Sequence, residues 1–277
     1  MSKEFDVVTI VKGRRKQLYN QFASIEHSSI KPSNHVVVRM NDDLPIDFPS
    51  DYKGQLVDIK TIEPLPLAKA RNKGLEYSKS KTVIFLDVDC LVEEDLFEKL
   101  LDLKGSKNVI TAYPKYLKEV PHKFDLSSVR NAAIEHPRQK RIQHGVSVDW
   151  KRFWSLVFCV EKKQMSDVGG FDENFQGYGA EDTDLAEALA QAGNKLIFAN
   201  SCIYHQYHTK YDPPLQHIHS ILNNANYFKE KWNYFPMTKW LDAFIEQGFV
   251  IFHQNEYVLR AYPSQSEIEA VLSETPY

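Results

Sequence analysis

Thr82-Val83-Ile84-Phe85-Leu86-Asp87-Val88-Asp89-Cys90 is an apolar run that ends in two carboxylates. Residues 82–86 do not alternate with polar neighbours, which is the pattern of a strand covered on both faces. Such strands belong to mainly parallel sheets flanked by helices. Ligands of these sheets bind beyond the carboxyl ends of the strands, where Asp87 and Asp89 stand. Residues two apart on a strand point to one side, so the two carboxylates are expected to converge, with Val88 turned to the core. Paired hard oxygen donors suit Mg2+ or Mn2+. The same pair also fits an ordinary acidic strand end that leads into a helix.

Upstream, residues 5–11 form a valine-rich strand bounded by Gly13. Residues 16–25 space Leu18, Phe22 and Ile25 along one helical face. Residues 35–40 and 56–62 read as strands, and residues 67–77 as a helix carrying Ala70, Gly74 and Tyr77. Downstream, 93–101 is helical, 109–112 and 155–160 are strands, and 195–199 is another. Residues 181–192 form a helix with Leu185, Ala188, Leu189 and Ala192 on one face and Gly193 beyond its end. This alternation predicts an α/β domain. The pattern breaks over 113–150, which carries Lys115, Lys118, Lys123, Arg130, Arg138, Lys140 and Arg141 among prolines. Long irregular segments serve as lids or binding loops, or run over the surface as solvated excursions. Residues 214–277 are mostly helical and aromatic, with helices over 215–232 and 238–246.

The 277 residues are 43% hydrophobic, with 34 basic and 37 acidic side chains and a net charge of −3. That sustains one large domain, or one domain with an appendage. It calls for no nucleic-acid partner, and none is expected. Cys90, Cys159 and Cys202 are far apart and odd in number, which fits buried reduced thiols rather than a zinc site or a disulfide framework. The N-terminus enters a strand directly, unlike a signal peptide. The longest apolar stretch, 153–160, is too short to span a bilayer. A cytoplasmic protein is expected, which would meet a lipid-borne substrate at the inner face of the membrane.

Two further clusters carry chemistry. In Gly177-Tyr178-Gly179-Ala180-Glu181-Asp182-Thr183-Asp184 the glycines allow a turn and a close approach to ligand. Acids at a helix start complement its dipole, but Glu181, Asp182 and Asp184 exceed what capping needs, and Tyr178 offers a ring for a sugar. In Cys202-Ile203-Tyr204-His205-Gln206-Tyr207-His208, histidine is a borderline metal ligand beside carboxylates; a lone strand histidine is otherwise structural.

Four stretches in order resemble the GT-A glycosyltransferases, particularly family 2 and the related galactosyl- and N-acetylgalactosaminyltransferases. Leu67-Ala68-Lys69-Ala70-Arg71-Asn72-Lys73-Gly74 is similar to the Ala-Arg-Asn-x-Gly helix, and Asp87-Val88-Asp89 to the Asp-x-Asp motif. Val168-Gly169-Gly170-Phe171-Asp172-Glu173 is similar to the Gly-Gly-Phe-Asp-Glu turn. Gly177-Tyr178-Gly179-Ala180-Glu181-Asp182 resembles the galactosyltransferase motif Trp-Gly-Gly-Glu-Asp. Each match alone is weak; four in order are specific, and the resemblance covers residues 7–208. Tyr178 and Ala180 depart from the Trp and Gly usual in galactosyltransferases, which bears on the acceptor sugar. Arg39-Met40-Asn41-Asp42-Asp43 replaces the usual Asp-Asp-Gly-Ser, which bears on base recognition.

The resemblance implies a GT-A fold, a Rossmann-like mainly parallel mixed sheet flanked by helices over residues 1–213. Its donor half would run to about 113 and its acceptor half over 114–213, with 214–277 a mostly helical extension. It implies a metal-dependent, inverting transfer of galactose, glucose or an N-acetylhexosamine. The donor is a UDP-sugar, the acceptor a hydroxyl of a glycan or lipid-linked sugar, and the setting glycan or polysaccharide synthesis. A diphosphate leaving group needs a cation against its developing charge. Thr9, Val11, Lys12 and Asn41 would line the donor nucleotide. Arg71 would lie near the diphosphate, unless it is a surface helix arginine, and Asp87 would hold ribose or a metal-bound water. Asp89 and His205 would bind Mn2+ or Mg2+, with His208 the alternative ligand. Asp182 would be the general base, and Tyr178, Glu181 and Asp184 would orient the acceptor. Trp154 would close over the donor or fill the core. A nucleotidyltransferase remains an alternative, faintly echoed in the basic turn Lys12-Gly13-Arg14-Arg15-Lys16. A non-catalytic carbohydrate-binding relative is another, against which the retained acidic positions argue.

Overall fold

A computed structural model of the chain describes residues 3–63, 65–137, 142–273 and 275–276. Arg138, Lys140 and Arg141 of the basic segment lie outside the described residues. The first elements are β1 (Asp6–Val11), α1 (Arg15–His27), β2 (Asn34–Met40), β3 (Gly54–Ile59), α2 (Leu67–Tyr77) and β4 (Thr82–Leu86). They are followed by β5 (Cys90–Val92), α3 (Leu96–Asp102), β6 (Asn108–Tyr116), α4 (Leu126–Ala132), β7 (Ile134–Glu135) and β8 (Ser147–Val148). Next come β9 (Val157–Glu161), α5 (Lys162–Asp167), α6 (Glu181–Gln191) and β10 (Lys195–His205).

The main sheet runs β3-β2-β1-β4-β9-β6-β10-β5. β3, β2, β1 and β4 are mutually parallel; β9 is antiparallel to both β4 and β6, and β10 runs parallel to β6. Every residue of β1 and of β4 is buried, because both sheet faces are covered. On one face Val8, Val36, Ala70, Phe158, Leu185 and Leu189 share a core; on the other, Val7, Ile84, Leu86, Phe97 and Leu100 share a second. Helix α2 lies very close to the sheet. A Cβ on Gly74 would stand 2.2 Å from Val8 Cγ1, so only glycine fits there. The three cysteines are free and buried.

Several boundaries differ from the sequence reading. The stretch after β4 first makes the edge strand β5, so the helix expected at 93 begins at Leu96. β6 continues to Tyr116, and β10 continues to His205 past a register shift between Phe198 and Cys202 that interrupts its period. Segment 113–150 is not uniformly irregular: Leu126 and Val129 of α4 pack against Leu91, Leu117 and Tyr204.

The C-terminal segment holds α7 (Ile218–Trp232), α8 (Thr238–Glu246), the hairpin β11 (Val250–His253) with β12 (Glu256–Leu259), and α9 (Gln265–Ala270). The hairpin was not expected from the sequence. This segment has its own core of Leu215, Ile221, Leu222, Leu241, Phe244 and Phe249. It is fastened to the rest by Lys231, whose ammonium reaches Asp172 at 2.9 Å and Asp184 at 2.8 Å. Its last stretch returns to the strand-end loop after β10, where Ser273 N–H donates to Lys210 O at 2.8 Å. Among the described residues no helix is long and apolar enough to cross a membrane.

Candidate active site

At the end of β4 the chain turns, with Cys90 N–H donating to Asp87 O at 2.9 Å. The Gln21 side-chain amide pins this turn by donating to Asp87 O at 2.7 Å and Cys90 O at 3.0 Å. Asp87 and Asp89 are therefore presented by a turn between β4 and β5, not by the two-residue period of a continuing strand. Asp87 lines an open cleft, whereas Asp89 is 0% exposed.

His205, at the carboxyl end of β10, and His208, just beyond it, approach Asp89. One ligand atom from each of the three lies within 4.8 Å of the others. Neither oxygen of Asp89 takes a hydrogen bond among the described residues. The guanidinium of Arg14, delivered by a left-handed turn after β1, forms an ion pair with it. A buried carboxylate without hydrogen bonds is costly unless a cation compensates it. Burial, helped by the charges of His208 and Arg14, pushes the His205 imidazole down to about 3, so the ring is neutral. Burial lowers His208 as well. A buried carboxylate that takes no hydrogen bond and is ion-paired to the partly exposed Arg14, beside two imidazoles that burial disfavours as cations, suits a divalent cation of the Mn2+ type.

The cleft in front of this cluster holds about 590 Å3 and crosses the carboxyl ends of β1, β2 and β4. From β1 and its turn it is lined by Ile10, Lys12 and Arg14. Thr9 and Val11 belong to the opposite register and correct the sequence reading. Thr9 Oγ1 donates to Gln21 Oε1 at 3.0 Å and lies 2.8 Å from His35 Nε2, while Val11 packs with Leu18 and Phe22. Asn41 also lies off the cleft. Its left-handed backbone turns the side chain onto the next loop, accepting from Thr61 N–H at 2.7 Å and donating to Glu63 O at 2.6 Å. Met40 takes its place on the wall.

Arg71 is buried rather than a surface arginine, and lines the cleft floor. Its guanidinium donates to Glu181 Oε1 at 2.9 Å and Ser155 Oγ at 3.1 Å. The next residue, Asn72, pairs with Phe171 through both backbone groups, at 2.8 and 2.9 Å, and so holds the Gly169-Gly170 turn. Tyr178, Glu181 and Asp182 line the cleft as well. Burial, with the charges of Glu181 and Asp182, pushes the Tyr178 phenol up to about 12. One face of its ring is covered by His217, stacked at 4.6 Å. Asp184 faces away, which corrects its expected acceptor role: Trp232 Nε1 donates to it at 2.7 Å and Lys231 holds its other side. Trp154 is on the cleft wall rather than in the core. Sequence reasoning passed over Tyr116, Lys210, His217, Met237 and Trp240, all of which line the cleft. It noted Arg14 only within a basic turn; the other five carry no linear signal, because the fold alone brings them to the site.

A mixed sheet whose parallel strand ends open into a cleft, with an acidic turn, two imidazoles and an acid-rich helix start around it, defines a GT-A glycosyltransferase. The chain belongs to the glycosyltransferase-like family 2, whose model matches residues 56–269. It is 22% identical over 274 residues to an uncharacterized glycosyltransferase, YfnE, of Bacillus subtilis (strain 168), covering 79% of this chain and 68% of that one. Staphylococcus aureus TarS 1-349 in complex with UDP-GlcNAc matches 95% of this chain and 97% of its own at a TM-score of 0.56 and 10% identity. GalNAc-T7 with UDP, GalNAc and Mn2+ matches 73% of this chain at a TM-score of 0.53 and 16% identity. This chain spans 43% of the GalNAc-T7 chain. At such identities the structural matches establish the fold. The chain is a glycosyltransferase, and the nucleotidyltransferase alternative is set aside.

Proposed function

We propose that this protein is a metal-dependent, inverting glycosyltransferase. It moves galactose, glucose or an N-acetylhexosamine from a UDP-sugar to a hydroxyl of a glycan or lipid-linked sugar. The observation that carries the reading is the buried Asp89 carboxylate, without hydrogen bonds, between His205 and His208. TarS and GalNAc-T7 share the fold and are known with UDP-GlcNAc, and with UDP and Mn2+, respectively, which supports the donor and metal class. Asp89, His205 and His208 would hold the cation, which supplies positive charge against the leaving diphosphate. Lys12, Asp87 and Arg71 line the cleft and would face the donor. The acceptor oxygen attacks the anomeric carbon as the bond to the diphosphate breaks, and the electron pair leaves with UDP. Asp182, at the start of α6, takes the hydroxyl proton, and Glu181 holds Arg71 on the cleft floor. Direct displacement inverts the anomeric centre. Residues 1–213 would form the transferase domain and 214–277 an extension that completes the acceptor wall; contact with a membrane surface would serve a lipid-borne acceptor.

The test is calorimetric titration of UDP in Mn2+ and in chelator, together with UDP release from a set of UDP-sugars. Binding should need the cation and vanish in Asp89→Ala with the fold intact. Equal UDP affinity and turnover in excess chelator would overturn the metal-dependent reading.

A further inference from the structure

We propose that the C-terminal segment supplies an aromatic acceptor subsite, in which Trp240 carries the ring of the incoming sugar beside Asp182. This rests on the function proposed above and names the acceptor's chemical class: a pyranose, with its C–H face on an indole and its hydroxyls toward carboxylates.

Position is the first support. Trp240, His217 and Met237 line the same cleft as Tyr178, Glu181 and Asp182, although they come from a segment with its own core. The arrangement of rings is the second. Tyr178 is stacked on His217 at 4.6 Å and 21°, so that face is already used. Trp240 stands 6.1 Å from Tyr178, tilted by 31°. It is half-buried, its packing against the segment's core leaving it part of the cleft wall. Among the rings that the C-terminal segment brings to the cleft, the indole of Trp240 is not covered by a parallel ring, whereas His217 is stacked on Tyr178.

The mixture of groups decides the ligand class. A pyranose joins an apolar C–H face to a rim of hydroxyls that donate and accept hydrogen bonds. An aromatic ring complements the face, and carboxylates accept from the rim. A lipid chain would have to desolvate Asp182 without pairing its second oxygen, which is unfavourable. The mixed wall therefore favours a sugar ring over an acyl or prenyl chain at this position.

The platform is also held rigidly against the helix that carries Asp182. The Asn224 amide donates to Gly179 O at 2.8 Å and Gln176 O at 3.0 Å, tying α7 to the glycine turn. Met237 closes on the same turn, where a Cβ on Gly179 would lie 2.9 Å from Met237 Sδ. Lys231 adds the ionic bridge from α7 to Asp172 and Asp184. A ring fixed in this way sets the distance between a bound sugar and the base, which is what positioning requires.

The experiment compares wild type, Trp240→Leu and Trp240→Phe. Leucine keeps apolar packing but removes the ring; phenylalanine keeps a ring. The probes are UDP with Mn2+ by calorimetry, and transfer from UDP-glucose, UDP-galactose, UDP-GlcNAc and UDP-GalNAc to an array of immobilised glycans and to simple alcohols. The expected result is transfer to sugar acceptors, an acceptor KM raised about 10-fold or more in Trp240→Leu, most of it recovered in Trp240→Phe, and UDP affinity within twofold of wild type. An unchanged acceptor KM in Trp240→Leu overturns the proposal. So does a UDP affinity that falls in step with that KM, which would place Trp240 on the donor side. Wild-type transfer to alcohols but to no glycan overturns the sugar subsite while leaving the transferase reading intact. Absence of UDP binding by wild type sinks the proposed function itself and the subsite with it.

Discussion

Arg71 of α2 and Glu181 of α6 meet at 2.9 Å across the cleft floor, joining two motifs 110 positions apart in the chain. Both are buried, and burial together with the neighbouring Asp182 charge raises Glu181, an effect that Arg71 opposes. Arg71→Met should therefore strand a buried carboxylate and lower stability by about 3–5 kcal/mol. Arg71→Met with Glu181→Gln removes both charges and should recover most of that loss. Urea denaturation of wild type and the two variants checks this. A single-variant loss under about 1 kcal/mol, the range of exposed pairs, would show that the pair is only a surface contact.

The same contact shows what the sequence disclosed. Arg71, Asn72, Phe171 and Glu181 were each visible in short motifs, and the structure brings those motifs together: Asn72 to Phe171, Arg71 to Glu181. The apolar run of β4 placed the acidic turn correctly in the fold, because full burial erases alternation in a way that is readable in one dimension. The side on which a residue points was not readable. Val-rich β1 is buried on both faces, so no alternation of exposure showed that Ile10, and not Thr9 or Val11, turns to the cleft. Asp184 looked like its neighbours Glu181 and Asp182, and only the placement of α7, with Lys231 and Trp232, turns it away. Trp240 and His217 depend on the packing of two helices far along the chain, for which no local pattern exists.

Arg14 and a divalent cation should compete for Asp89. The guanidinium is the compensating charge that the structure gives this carboxylate. In chelator, Arg14→Met should lower stability by roughly 2 kcal/mol, less than for a fully buried pair because Arg14 is partly exposed. Mn2+ should bind the variant more tightly than wild type and raise its melting temperature further. Electron paramagnetic resonance titration of Mn2+ and thermal melts measure the two. Weaker Mn2+ binding in Arg14→Met would mean that Arg14 assists the metal site instead of competing with it.

His35 gives the fold a pH dependence separate from the cleft. Its ring lies between Tyr52 Oη at 2.7 Å and Thr9 Oγ1 at 2.8 Å, and burial lowers it to about 3. Between that value and the ordinary histidine range near 6.5, the unfolded chain holds the proton and the folded chain does not. Stability attributable to His35 is therefore full above about pH 6.5 and falls as the pH drops toward 3, by up to about 1.4 kcal/mol per pH unit. His35→Gln should be less stable at neutral pH but flatter over this window. The remaining histidines are common to both proteins, so the difference isolates His35. Parallel stability curves from pH 7 to 4 would refute it.

Asp182 should be the base of the transfer. It stands at the first turn of α6 on the cleft wall, next to the ion-paired Glu181. Thr183 N–H and hydroxyl engage its Oδ1 at 2.7 and 3.3 Å, and Oδ2 takes no hydrogen bond among the described residues. One oxygen thus fixes the carboxylate while the other remains able to accept a proton. An acceptor hydroxyl is a poor nucleophile at neutral pH, so a group within hydrogen-bond reach must receive its proton as the new bond forms. Glu181 is committed to Arg71 and Asp184 to Lys231 and Trp232, which leaves Asp182 as the acid-rich turn's carboxylate with that capacity. Asp182→Asn keeps the size and the Thr183 contacts but removes the basicity. Its kcat should fall by about 10²–10⁴-fold, while the affinity for UDP in Mn2+ stays near wild type, since the proposed metal ligands and Lys12 are untouched. The anomeric configuration of the product, read by NMR coupling constants, should be opposite to that of the donor. Near-normal kcat in Asp182→Asn, or retention of configuration, would take the role of base away from Asp182.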